Sequence, residues 1–175
     1  ALKQAYQKDF PHIEISLGDT PSCSVANNFE GADEIRPGNF IFYDLMMKNL
    51  GACTFGDVAV RMVCPVVARH LSRNEIVIYG GAVHLSKEFI LNHNGKRTYG
   101  AVEITKNGEK TILEPLNYVA SLSQEHGILK VEQSQFKNFQ VGDLVEIIPV
   151  HSCLTANLAR NYVTTEGEVI STVNS

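Results

Sequence analysis

Two residues placed just beyond a strand-like run have the chemistry of metal ligands. The run Leu144-Val145-Glu146-Ile147-Ile148-Pro149 is followed, after Val150, by His151-Ser152-Cys153. In an extended segment, residues i and i+2 share a face, so the imidazole of His151 and the thiolate of Cys153 converge on one point. Zinc accepts both ligand types, and two protein ligands leave positions open for water and substrate, as a catalytic zinc requires. A buried cysteine beside a hydrogen-bonded histidine accounts for the same spacing, because a bare His-x-Cys pair is a weak pattern.

A second stretch, Gly18-Asp19-Thr20-Pro21-Ser22, combines a glycine with hydroxyl donors after a strand-like segment. Backbone amides in such a loop form an anion nest that suits a phosphate, and a plain surface turn has the same composition. A third, Ser123-Gln124-Glu125-His126-Gly127, sets a carboxylate beside an imidazole between two apolar runs. It reads either as an acid–base or ligand-orienting pair or as a β-turn with Gly127 at positive φ. His12, His70, His84 and His93 are dispersed and read as surface or packed histidines. A Schiff-base lysine needs an apolar site. Lys3, Lys8, Lys48, Lys96, Lys106, Lys110, Lys130 and Lys137 sit in polar or turn surroundings, and Lys87 adjoins Glu88.

The elements that must position these groups fall into two regions. In residues 1–50, Ala1 to Lys8 reads as the end of a helix, and His12 to Leu17 alternates with strand period. The turn signal Arg36-Pro37-Gly38 precedes a second predicted strand, Asn39 to Leu45. Strand, loop and strand in that order resemble part of an α/β unit, too short to close a fold. Residues 51–175 read as all-β, with strands predicted over Val58–Val67, Glu75–Tyr79, Arg97–Ile104, Tyr118–Ser123, Ile128–Val131, Leu144–Ile148 and Tyr162–Ile170. The turn signals Ser72-Arg73-Asn74, Asn94-Gly95, Asn107-Gly108, Gly142-Asp143 and Glu166-Gly167 separate them, the pattern of an antiparallel barrel or sandwich. The fold class expected is therefore mainly β.

Composition excludes several functions. The net charge is −4, and no basic stripe with interleaved aromatics is present, which argues against a nucleic-acid partner. The longest apolar candidate, Val58 to Leu71, is broken by Arg61, Pro65 and Arg69, so no membrane span is expected. The polar start ALKQAYQKDF is not expected to act as a signal peptide. Cys23, Cys53, Cys64 and Cys153 form no CxxC pair, which makes a disulfide framework unexpected and a reducing, cytoplasmic setting the default.

Taken in order, these stretches resemble a known family. The segments are Gly18 to Ser22, Glu34-Ile35-Arg36-Pro37-Gly38-Asn39-Phe40-Ile41-Phe42-Tyr43-Asp44, Gly80-Gly81-Ala82-Val83-His84-Leu85-Ser86-Lys87, Ser123 to Gly127, and Gly142-Asp143 through Pro149-Val150-His151-Ser152-Cys153-Leu154-Thr155. Their order and wording are similar to the C-terminal part of the D-serine dehydratase and D-threonine aldolase family, the alanine racemase-like fold-type III pyridoxal-phosphate enzymes. The resemblance implies that residues 1–50 are the last strands of a (β/α)8 barrel and residues 51–175 an antiparallel β-domain carrying a metal site. It implies pyridoxal 5'-phosphate held by Gly18, Asp19, Thr20, Ser22 and Tyr43, and Zn2+ held by His151 and Cys153. It further implies a D-amino-acid substrate, a homodimer, and a Schiff-base lysine outside these residues, so that the chain is inactive alone. His-x-Cys, rather than His-x-Asp, points to the dehydratase branch and β-elimination. D-Threonine aldolase, racemase, and a non-catalytic β-module for dimerisation are the other readings. Tyr79 stands where the family pattern leads one to expect an acidic residue.

Overall fold

The computed structural model describes residues 2–106, 108–113 and 117–172. Ala1 of the expected helix and Asn107 of the Asn107-Gly108 turn signal lie outside the described residues, as does the side chain of Lys106.

The N-terminal region begins with helix α1 (Leu2–Tyr6), then strand β1 (Ser16–Leu17), helix α2 (Thr20–Val25), strand β2 (Glu34–Ile35) and helix α3 (Leu45–Asn49). Strands β1 and β2 pair in parallel, Ser16 with Glu34 and Leu17 with Ile35. Parallel neighbours need a crossover, and α2 lies within it. Two expectations are corrected here. Thr20 to Ser22 are not loop but the first turn of α2, because Asp19 caps it by accepting the Ser22 amide at 2.6 Å. The second strand precedes, rather than follows, Arg36-Pro37-Gly38, and Asn39 to Asp44 form a turn leading into α3. Asn39 carbonyl accepts from the amides of Phe42 and Tyr43, Tyr43 has φ of 47°, and Asp44 caps α3. A left-handed residue followed by a helix cap ends any strand. Tyr43 is thus in a turn and not in a strand.

The rest of the chain contains β3 (Met62–His70), β4 (Glu75–Tyr79), α4 (Ala82–Leu85), β5 (Ile90–Leu91), β6 (Arg97–Thr98), β7 (Gly100–Lys106) and β8 (Glu109–Ile112). It continues with β9 (Tyr118–Leu122), β10 (His126–Lys130), β11 (Leu144–Pro149), α5 (Ser152–Leu158), β12 (Asn161–Val163) and β13 (Val169–Ser171). The order β11-β3-β4-β10-β9-β7, with β7 also paired to β11, closes a six-stranded antiparallel barrel, and β8 extends it from β7. The barrel-or-sandwich expectation resolves to a barrel. The predicted strand Tyr162–Ile170 is instead the hairpin β12–β13, turned at Gly167 with φ of 87°. The predicted Arg97–Ile104 strand is split at Tyr99, since β6 pairs with β5 while β7 joins the barrel.

Alternation fills the barrel. Cys64 and Val66 of β3, Ile76 and Ile78 of β4, Val102 and Ile104 of β7, and Val145 and Ile147 of β11 point inward, with Val119, Leu129 and Phe139 completing the core. On the outside of β7 and β11, Ala101, Ile148 and Val150 are buried beneath Leu45 of α3 and Val58. This second cluster joins the N-terminal region to the barrel.

An ion pair anchors the connecting segment to the same face. Arg61 Nε donates to Glu103 Oε2 at 2.8 Å, and Arg61 Nη1 donates to the Val58 carbonyl at 2.5 Å. Burial alone raises the Glu103 carboxyl. The Arg61 hydrogen bond and charge, with the Lys110 charge, outweigh it and hold the group below the usual carboxylate range. A lowered folded-state value contributes stability at neutral pH that is lost as pH falls. Urea midpoints should therefore drop as pH falls below about 5, and Glu103→Gln should show a shallower fall over that range. In the core, Ile78→Ala should cost about 2–5 kcal/mol in the same urea assay.

Candidate functional site

Helix α5 carries the end of the motif that begins at His151. His151 is its N-cap, with extended backbone and no side-chain capping bond, and Ser152 and Cys153 open the helix. The two ligand candidates therefore do not lie in one extended segment, and the same-face argument does not set their directions. The helix intervenes because Ser152 is bound at its start. Its amide donates to Asp44 Oδ2 at 3.0 Å, and its hydroxyl donates to Asn39 Oδ1 at 2.5 Å.

Further along α5, the Thr155 hydroxyl donates to the Leu85 carbonyl of α4 at 3.3 Å. The Tyr162 hydroxyl donates to the Ala156 carbonyl at 3.1 Å, while its ring meets Phe42 edge-on at 6.0 Å. Helix α5 is thus held at its first turn, middle and outer side. His151 is half-buried and Cys153 exposed, and no hydrogen bond engages either side chain among the described residues. Their donor atoms are uncommitted, and the pair fits zinc in ligand type. Among the described residues no cluster of three or more His, Cys, Asp or Glu gathers around a common point. Cys153 faces a cavity of about 320 Å3 walled by Gly38, Ile41, Phe42, Ala156 and Tyr162.

Asp44 is fully buried, and its neighbours connect the sequence motifs. Oδ1 accepts the Met47 amide at 2.8 Å, and Oδ2 accepts Asn39 Nδ2 at 2.6 Å in addition to the Ser152 amide. The Asn39 amide donates to Thr20 Oγ1 at 2.9 Å. The Ser24 hydroxyl bonds the Thr20 carbonyl at 2.7 Å and the Tyr43 hydroxyl at 2.9 Å. Thr20 and Tyr43 are thereby brought into one hydrogen-bonded network with the residue between His151 and Cys153.

Gly18, Asp19 and Ser22 lie at the exposed start of α2. The Asp19 carboxylate occupies the Ser22 amide, so a phosphate there must draw on other donors. The hydroxyls of Thr20 and Ser22 are of the right type. Arg36 adds a cation: a Cβ at Gly18 would come within 2.9 Å of its Nη2. The donor set fits a phosphate through hydroxyls and a guanidinium rather than through a nest of amides.

The other motifs resolve into structure. The Ala82 and Val83 amides donate to the Ser123 and Gln124 carbonyls at 2.9 and 3.1 Å. A Cβ at Gly81 would come within 2.5 Å of the Gln124 carbonyl oxygen, and one at Gly127 within 2.7 Å of the Gly80 carbonyl oxygen. Gly127 is thus required by close strand approach and not by positive φ. No hydrogen bond joins Glu125 to His126; the His126 and His84 rings pack edge-on against Tyr79 at 5.6 and 5.1 Å. No lysine side chain is buried among the described residues, and Lys3, Lys110 and Lys130 are ion-paired.

A closed antiparallel barrel preceded by a parallel strand pair is an alanine racemase-like architecture. Over 96% of this chain and 45% of the other, the structure matches an alanine racemase-like protein of Idiomarina loihiensis (TM-score 0.80, 27% identical). Residues 59–165 match the family described as "Putative serine dehydratase domain", and the chain belongs to that family. It is 32% identical over 155 residues to D-serine dehydratase of Dictyostelium discoideum, covering 85% of this chain and 38% of that protein. It also matches a metal-free D-threo-3-hydroxyaspartate dehydratase in which a cysteine is replaced by alanine (TM-score 0.78, 25% identical, 96% and 46% covered), an enzyme known from Delftia sp.. The chain spans about two fifths of the length of the curated relatives it matches.

Nothing in the residues around Asn39, Ser152 or Arg36 marks them as parts of the site. Asp44 directly before Leu45-Met46-Met47 is a readable helix cap, whereas its bond to Ser152 spans 108 positions. Asp44→Ala leaves three buried donors without an acceptor and should cost at least about 3 kcal/mol in thermal or urea unfolding.

Proposed function

We propose that this chain is the C-terminal, metal-bearing part of a D-serine dehydratase-like lyase. It depends on pyridoxal 5'-phosphate and zinc and removes water from a D-β-hydroxy amino acid to give a keto acid and ammonia. The observation that carries the reading is the His151–Cys153 pair, uncommitted in hydrogen bonding on a firmly held helix, in a chain of the serine dehydratase family. The relatives' names support a D-amino-acid dehydratase, and the metal-free form of a cysteine-substituted relative supports a metal beside a cysteine.

When bound, pyridoxal phosphate supplies an electron sink for the α-carbon, and zinc supplies a Lewis acid for the departing hydroxyl. His151 and Cys153 hold the metal. The hydroxyls of Thr20 and Ser22, with Gly18, Asp19 and Arg36 around them, hold the phosphate, and Tyr43 orients the cofactor from beside Ser24. Residues 1–50 are the end of a (β/α)8 barrel, supported by the parallel β1–β2 pair around α2, and residues 51–175 are the β-domain. The Schiff-base lysine belongs to the part of the relatives that this chain does not match, and the 175 residues alone are inactive. The working form is a cytoplasmic homodimer.

Zinc content of the purified protein, read by plasma mass spectrometry, should be near-stoichiometric and lost in His151→Ala. In the full-length protein, Cys153→Ala should lower kcat/KM for D-serine by at least the 10–100-fold that loss of an outer metal-site partner typically costs. Unchanged activity in Cys153→Ala, or in the presence of a strong chelator, would exclude the metal role. Faster turnover of D-threonine by carbon–carbon cleavage would assign the aldolase branch, and racemisation without elimination the racemase branch. Iodoacetamide should modify exposed Cys153 and be blocked there by Zn2+, whereas Cys64, whose thiol burial pushes up to about 12, should react only after unfolding.

A further inference from the structure

We infer that Asp44 is a positioning residue for the His151–Cys153 pair, acting through Ser152 and tying that pair to the Thr20 and Tyr43 side of the site. The inference rests on the metal reading of the pair given above and adds the group that sets its geometry.

Capping α3 uses only one oxygen of Asp44, the Oδ1 that accepts the Met47 amide. An exposed aspartate does that as well, yet Asp44 is fully buried, where an unpaired carboxylate is strongly disfavoured. The second oxygen accounts for the burial. Oδ2 receives Asn39 Nδ2 at 2.6 Å and the Ser152 amide at 3.0 Å, with the Ser152 hydroxyl at 3.5 Å.

Ser152 is the single residue between the two ligand candidates and is itself fully buried. Its amide nitrogen belongs to the peptide plane shared with His151. Its hydroxyl is fixed on Asn39 Oδ1. Holding both atoms fixes the backbone on each side and therefore the directions in which the His151 and Cys153 side chains leave it. One residue before the pair, the Val150 carbonyl accepts the Met46 amide at 3.2 Å, a second tie from the same helix. His151 makes no capping bond of its own, so its place depends on these backbone ties. The Asn39 that Oδ2 binds also donates its amide to Thr20, and Tyr43, adjoining Asp44 in the chain, is held in the left-handed region. One carboxylate thus sets both sides of the site in a common frame.

Asp44→Ser separates the two duties. Serine is a good helix cap, but its one short oxygen cannot also reach Ser152 and Asn39. In the full-length protein, Zn2+ affinity is measured by competition with a chromophoric chelator, and ligand geometry by the visible spectrum of the Co2+-substituted form. Asp44→Ser should weaken Zn2+ binding by about 10–100-fold and alter the Co2+ spectrum. Leu129→Ala, a barrel-core change remote from the network, should lower the melting temperature and leave both metal readouts as in wild type. Ser152→Ala should shift them in the same direction as Asp44→Ser, by less.

Wild-type Zn2+ affinity and Co2+ spectrum in Asp44→Ser would overturn the positioning role, as would equal losses in Asp44→Ser and Leu129→Ala. If Asp44→Ser does not fold, an unaltered Co2+ spectrum in Ser152→Ala overturns it. A wild-type protein that takes up no Zn2+ overturns the metal reading itself, and the positioning role with it.

Discussion

The Asp44 carboxylate is the constraint on which the arrangement of the site depends. It is buried, and its hydrogen-bond donors come from three separate places: the first turn of α3, the turn at Asn39 and the first turn of α5. A buried charge persists only where its lone pairs are satisfied, so these three segments are tied to one geometry or to none. Apolar packing acts in the same place. Leu45 follows Asp44 directly and lies with Val58 over Ala101, Ile148 and Val150 on the outside of the barrel. Apolar contact supplies the bulk of the adhesion between the N-terminal region and the barrel, and the carboxylate supplies the register.

The barrel is the rigid body against which this register has meaning. Closure of β7 on β11 leaves no free edge in the six-stranded ring, and β11 leads without interruption through Pro149 and Val150 into His151. The His151–Cys153 pair therefore sits at the end of a strand that is paired on both sides, on a helix bonded to α4 and to Tyr162. The glycines of the Gly80-Gly81 and Ser123 to Gly127 segments serve the same rigidity. At Gly81 and Gly127 two backbones approach so closely that a methyl group would collide with a carbonyl oxygen. A segment that looks like chemistry in a linear reading can thus serve close packing, as the backbone of Gln124 to Gly127 does here.

Much of the fold was legible in the sequence because period-two alternation is a local signal. Ile76 and Ile78, or Val145 and Ile147, announce a buried strand face within five residues. Local signals mislead where tertiary or turn interactions outweigh them. Asn39 to Leu45 has the apolar character of a strand, but Asn39 and Asp44 use their side chains to organise a turn and a helix cap, and Tyr43 takes a left-handed backbone. Likewise, Tyr162 to Ile170 carries β-branched or aromatic residues at both ends, but Gly167 turns it into a hairpin.

For the site, the linear order of residue types determined which groups could act: an imidazole and a thiol two positions apart, hydroxyls after a glycine, and the family pattern they share. Tertiary structure alone decided what holds them. The His151–Cys153 spacing is a property of covalent sequence, but the directions of those side chains follow from Ser152, whose partner lies 108 positions away. The closeness of Thr20 to Asn39 and of Arg36 to Gly18 likewise arises only once β1 and β2 pair in parallel around α2. Hydrogen bonding and packing act over a few ångströms of space whatever the separation along the chain. A sequence therefore specifies donors and acceptors locally, and only the closed fold pairs them.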